Sequence, residues 1–136
     1  MRAVERTPWA EQRNATHDEM CLAVARAAGK LFPGYTGAVR SDVEAPLGPG
    51  FVDVLAWTDA PPDEREWAIV EVKTNAERES GGDIVRQLRW YRERLALPAR
   101  LVLVAPNRWL APAGMQDLIL LAGIEILPVR YFSEAA

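Results

Sequence analysis

The chain has 136 residues, nearly half of them apolar and about a quarter charged, with a net charge of −3; that length suits one domain able to bury about two-thirds of its unfolded surface. No apolar run approaches the ~18 residues of a membrane span, the polar opening stretch lacks a signal-peptide pattern, and the lone Cys21 excludes a disulfide framework and points to a reducing cytoplasm. An acidic balance also weighs against broad attraction to nucleic-acid phosphates, although residues 86–94 hold four arginines against one glutamate.

Residues 1–12 are expected to form a loose lead-in. Over residues 14–32, Cys21, Val24, Ala25, Ala28, Leu31 and Phe32 recur at helical spacing; Asn14 or Thr16 would cap that helix and Pro33-Gly34 would stop it. On this stripe Cys21 reads as a core filler. Residues 35–44 alternate weakly and predict a first strand, and the Pro- and Gly-rich residues 46–50 a turn. Residues 51–58 predict a second strand, the acidic residues 59–66 a hairpin connection, and residues 67–73 a third strand antiparallel to the second.

The polar residues 74–82 break the pattern, and residues 83–97 then predict the strongest helix, with Ile84, Leu88, Tyr91 and Leu95 on one stripe and Pro98 at its end. Residues 101–104 form a continuous apolar run, as in a strand covered on both faces. Residues 112–121 predict a helix with proline near its first turn, ended by Gly123, and residues 124–129 a last strand. The order α-β-β-β-α-β-α-β, with a helical crossover between the third and fourth strands, predicts an α/β fold with a mixed central sheet flanked by helices.

Three charged residues stand out against this pattern. Strict alternation along the second strand groups Phe51, Asp53, Leu55 and Trp57 on one face, opposite Val52, Val54 and Ala56. On the third strand Glu71 and Lys73 share a face with Trp67 and Ile69, their Cα atoms about 7 Å apart. Taken singly, Asp53 is a strand-end carboxylate and Glu71–Lys73 a surface ion pair worth little. Taken together, two carboxylates inside adjacent apolar strands call for a cation, because an unpaired buried charge costs several kcal/mol. Mg²⁺ suits such oxygen ligands together with water and a substrate phosphate. Lys73 would orient or deprotonate the attacking water, or neutralise charge developing on the phosphate.

Asp53, then Glu71-Val72-Lys73, set between an early helix and a crossover helix, resemble the PD-(D/E)xK phosphodiesterase superfamily over residues 14–104. The proline that usually precedes the first aspartate is replaced by Val52. Gln87 and Tyr91 on the crossover helix are similar to the Gln-x-x-x-Tyr of its RecB-like branch. The resemblance implies a restriction-endonuclease-like αβββαβ core and a nuclease in which Asp53 and Glu71 hold Mg²⁺ or Mn²⁺, Lys73 serves the hydrolytic water and Gln87 organises the site. It also implies a further acid or histidine from the first helix. Helical angles favour His17, which lies near the Cys21 stripe, whereas family habit favours Glu19, and both remain candidates. The lone Cys21 gives no basis for the iron–sulfur cluster of some RecB-like relatives.

Arg86, Arg89 and Tyr91 are candidate substrate contacts, with solvated helix charges and core packing as the plainer reading. Thr74 and Asn75 could touch substrate or simply form a turn. Trp57 and Trp67 read as core; Trp90 and Trp109 read as partly exposed. A P-loop, a cysteine-based zinc pattern and a Gly-x-Ser-x-Gly elbow are missing. The resulting expectation is a cytoplasmic, Mg²⁺- or Mn²⁺-dependent deoxyribonuclease, acting on DNA ahead of RNA. It could work as a homodimer or with a protein partner, and without a membrane. The alternative is a catalytically silent nuclease-fold module serving as a binding component of a DNA repair, phage or defence complex.

Overall fold

The computed structural model describes residues 9–73, 81–106 and 114–133. The described chain runs α1 (Trp9–Arg26), a 3-10 turn (Ala28–Leu31), β1 (Val39–Leu47), β2 (Gly50–Thr58), a 3-10 turn (Pro62–Glu64), β3 (Trp67–Val72), α2 (Gly81–Leu95), β4 (Arg100–Ala105), α3 (Met115–Leu121), β5 (Ile124–Pro128) and α4 (Arg130–Ser133). The five strands lie in the order β1-β2-β3-β4-β5. β1, β2 and β3 form an antiparallel meander, and β4 and β5 add on in parallel. The protein is therefore mixed α/β, a five-stranded mixed sheet with helices on its faces.

Several boundaries differ from the sequence expectation, each for a local reason. α1 is already helical at Trp9, inside the stretch expected to be a loose lead-in, and it stops at Arg26 before tightening into the 3-10 turn. β1 runs on through Pro46 and Leu47, which sequence reasoning gave to a turn. Proline is tolerated there because β1 is an edge strand. The turn shrinks to Gly48-Pro49 between the paired Leu47 and Gly50, with Gly48 at φ 68, the glycine-first pattern of a tight hairpin. α2 ends at Leu95, short of the expected residue 97. Ala96 takes a left-handed φ of 60, and Pro98 disfavours helical geometry at Leu97. α4 had no counterpart in the sequence reading. Thr74, Asn75 and Trp109 lie outside the described residues.

Two apolar layers sandwich the sheet. On one face Ile69, Leu101 and Leu103 pack with Ile84, Leu88 and Tyr91 of α2 and Ile119 of α3. On the other, Val54, Ala68, Val70, Val72, Val102 and Val104 pack with Cys21 and Val24 of α1, Leu31 and Phe32 of the turn, and Phe132 of α4. Such near-continuous burial of β3 and β4 follows from helices covering both sides. Beside the loop that joins β2 to β3, the cross-strand pair Trp57 and Trp67 stacks with ring centroids 5.3 Å apart.

Strict alternation fails at one place, and it is the place that matters. Val52 packs on the α2 face although Val54 packs on the α1 face, so the predicted grouping of Asp53 with Leu55 and Trp57 does not hold. The physical reason lies in β1. Glu44 sits at φ 55, and the β1–β2 register, regular from Val39↔Thr58 to Val43↔Val54, skips the Glu44–Asp53 position before resuming at Ala45↔Val52. That single left-handed, non-glycine residue breaks the pleat, and Asp53 turns toward α1.

Candidate metal centre

The β2–β3 ladder stops at Val54↔Val70, and a side chain takes over from it. Val72 donates its backbone N–H to Asp53 Oδ2 at 2.8 Å, so the carboxylate stands in for the missing strand partner. His17, on α1, reaches the same spot. Its Nε2 lies 3.4 Å from Asp53 Oδ2 and donates to the Val72 carbonyl at 3.1 Å. The Val72 N–H and C=O are thus held by two candidate ligands from distant parts of the chain. Asp53, hydrogen-bonded to the His17 ring, pushes the imidazole up from 6.5 to about 11, with the Cys21 sulfur adding to the effect and burial opposing it. Near neutral pH His17 is therefore a cation beside the Asp53 carboxylate.

Cys21 completes this corner. Its sulfur lies 3.9 Å from both ring nitrogens of His17, one helical turn away at i+4. Burial pushes the Cys21 thiol up, in keeping with the core position expected of it. The donor atoms of His17, Cys21 and Asp53 all lie within 4.8 Å of one another, and the three line an open cleft of about 230 Å³ with Asp18, Leu22, Val43 and Glu44. Sequence reasoning had His17 and Asp53 in view but took Cys21 for packing alone. The signal that could have joined them is the spacing His17-x-x-x-Cys21 on one helix face. Nothing in the sequence marks Glu44 as left-handed.

Glu71 and Lys73 occupy the flanks of Val72. Both are buried, 5% and 4% exposed, and Lys73 Nζ sits 3.2 Å from Glu71 Oε2. The Lys73 backbone N–H donates to the Val104 carbonyl at 2.9 Å, continuing the β3–β4 ladder. By strand alternation from Ile69, Glu71 belongs to the α2 face, whereas Asp53 and His17 approach Val72 from the α1 side. Among the described residues, Glu71 joins no group of three donors within 4.8 Å. The expected site therefore divides into two pairs, His17–Asp53 and Glu71–Lys73, that meet at Val72 from its two sides.

The other candidates are distributed more loosely. Glu19 is exposed and does not line the cleft, so of the two α1 candidates it is His17 whose side chain meets Asp53. Gln87 is half-buried and lies 3.5 Å from the Tyr91 hydroxyl, a long hydrogen bond. Tyr91 is buried and donates its hydroxyl to the Phe51 carbonyl at 2.8 Å, pinning the start of β2 to α2. Arg86 is exposed and pairs with Asp83, and the exposed Arg89 reaches the Ala122 carbonyl at 3.4 Å.

An imidazole beside a carboxylate suits Mn²⁺, which accepts nitrogen and oxygen, better than Mg²⁺, which prefers oxygen. Among the described residues, no helix is long and apolar enough to cross a membrane. No protein-family model matches the chain, and comparison with curated proteins and with solved structures finds no match.

Proposed function

We propose that this chain is a metal-dependent nuclease that hydrolyses DNA phosphodiesters, built on the αβββαβ core of the PD-(D/E)xK superfamily, with motifs that resemble its RecB-like branch. Support comes from the element order α1-β1-β2-β3-α2-β4, an antiparallel meander followed by a helical crossover to a parallel strand. The observation that carries the reading is the convergence on Val72. Asp53 and His17 bind its backbone N–H and C=O, and Glu71 and Lys73 flank it on the strand.

In this reading Asp53 and His17 would hold Mn²⁺ or Mg²⁺, with Asp53 supplying negative charge, while Glu71, on the α2 side of Val72, would stay beside Lys73. When bound, such an ion supplies Lewis acidity toward the scissile phosphate and lowers the pKa of an attached water. Lys73 keeps its ammonium beside the carboxylate and offers positive charge to the phosphate. Gln87 steadies the approach of α2 through Tyr91. Arg86 and Arg89 lie exposed on α2, where backbone phosphates could reach them.

A second reading is a catalytically silent module of the same fold that lends a binding surface to a DNA repair, phage or defence complex. One observation favours it: Glu71 and Lys73 face each other while almost wholly buried. The net charge of −3 adds that DNA delivery would fall to a partner.

A cleavage panel separates the two, using supercoiled, linear, branched and single-stranded DNA with Mn²⁺. Asp53→Asn is the informative variant, because its amide oxygen can still accept the Val72 N–H while the charge is gone. The nuclease reading expects wild-type cleavage of at least one substrate and background cleavage by Asp53→Asn. An inactive wild type, or equal rates for the two, rejects it.

A further inference from the structure

Expected nuclease ions are hard, yet the tightest donor group in the described residues contains sulfur. Ligand spacing carries the argument further. In a tetrahedral zinc site, bonds of about 2.0–2.3 Å place neighbouring donor atoms roughly 3.3–3.8 Å apart. In an octahedral magnesium site, bonds of about 2.0–2.1 Å place them roughly 2.9 Å apart. Here His17 Nε2 lies 3.4 Å from Asp53 Oδ2 and 3.9 Å from Cys21 Sγ. Both distances sit near the tetrahedral edge and well beyond the octahedral one.

The surroundings fit as well. The exposed Asp18 carboxylate lies 3.6 Å from His17 Nδ1, beyond hydrogen-bond distance but on the side from which a carboxylate can orient a metal-binding imidazole. His17, Cys21 and Asp53 all line the cleft of about 230 Å³, which leaves room for water or a small anion as a further ligand. A neutral imidazole, a thiolate and a carboxylate carry two negative charges together, matching one divalent cation.

We propose that His17, Cys21 and Asp53 form a binding site for a thiophilic divalent cation, zinc foremost, in which Cys21 is the selecting ligand. The inference rests on the proposed metal centre only in sharing His17 and Asp53, and it requires no phosphodiester hydrolysis. Forming the metal–sulfur bond breaks the Cys21 S–H bond, and forming the metal–nitrogen bond displaces the Nε2 proton of His17; both protons pass to solvent. The Val72 carbonyl gives up its imidazole donor in the exchange. Because Asp53 serves both ions, zinc held here competes with Mn²⁺ for the carboxylate.

Cobalt(II) substitution tests the bond directly. The reduced wild-type protein, titrated anaerobically with Co²⁺, should develop a sulfur-to-cobalt charge-transfer band, and Zn²⁺ should bleach it. Cys21→Ser should lack the band and bind Zn²⁺ at least tenfold more weakly in a chelator competition; Cys21→Ala, which keeps an apolar core position, should behave alike. A wild-type protein without the band, or a serine variant with wild-type zinc affinity, overturns the proposal. The wild-type spectrum decides without any variant and without nucleic acid, so a failed cleavage panel leaves this result standing, and the converse also holds.

Discussion

Replacing Lys73 with methionine removes the ammonium 3.2 Å from Glu71, a carboxylate only 5% exposed. Stripping one partner from a buried ion pair costs about 3–5 kcal/mol. The carboxylate that loses this ammonium can instead take up a proton. From an ordinary glutamate value near 4.3, that uptake costs about 3.7 kcal/mol at pH 7 and about 1 kcal/mol at pH 5. The smaller figure caps the penalty, so the expected loss is about 3–4 kcal/mol near pH 7 and about 1 kcal/mol near pH 5. At an unfolding entropy of about 2.1 cal/mol/K per residue, the neutral-pH loss lowers Tm by roughly 10–14 °C. The sign follows from proton counting: the folded variant holds a proton on Glu71 that its unfolded chain releases, so stability falls as pH rises. Urea unfolding followed by tryptophan fluorescence, with chelator present, measures this at both pH values for wild type, Lys73→Met and the double variant with Glu71→Gln. The double variant should recover part of the loss and erase its pH dependence. A Lys73→Met deficit equal at both pH values would refute the buried-pair account.

The His17 value raised to about 11 predicts that its contribution to stability is complete below about 6.5 and fades as pH climbs toward 11. NMR of the ring should find His17 still protonated near pH 8, and a midpoint close to the ordinary 6.5 contradicts the Asp53 contact. Tyr91→Phe removes the donor to the Phe51 carbonyl and should cost about 1–2 kcal/mol in urea unfolding; an unchanged midpoint counts against that anchor. Ile69→Ala, at a wholly buried position at the centre of the sheet, should cost about 2–5 kcal/mol, whereas Leu121→Ala on an exposed helix face should stay within about 0.5 kcal/mol. Equal losses in the same unfolding assay would mean that the two apolar layers are wrongly assigned.

Much of the fold was legible because its signals are local. Apolar runs at 51–58, 67–73 and 101–104 mark strands near their observed limits, and the Ile84, Leu88 and Tyr91 stripe marks the buried side of α2. Asp53, Glu71 and Lys73 stand out in sequence because charge inside such runs demands a partner. What could not be read was their sidedness. Alternation assumes an unbroken pleat, and Glu44 breaks it with a backbone geometry that glutamate seldom adopts. Asp53 consequently faces α1, and Glu71 follows the undisturbed β3. The choice between His17 and Glu19 was a matter of helical angle, and the observed contact from His17 to Asp53 agrees with that geometry. Cys21 was legible as buried; its neighbourhood with a β2 carboxylate is a long-range contact that no helical period encodes.

His17 and Asp53 belong to segments that lose all acquaintance once the chain unfolds, so an ion gripping both is lost with the native state. Each tenfold excess of such an ion over its Kd then adds about 1.4 kcal/mol to the unfolding free energy. For the proposed ion, a melting curve run across a series of metal concentrations would become a binding isotherm for this corner of the molecule, and swapping the cation at fixed concentration would rank its preferences from heat alone.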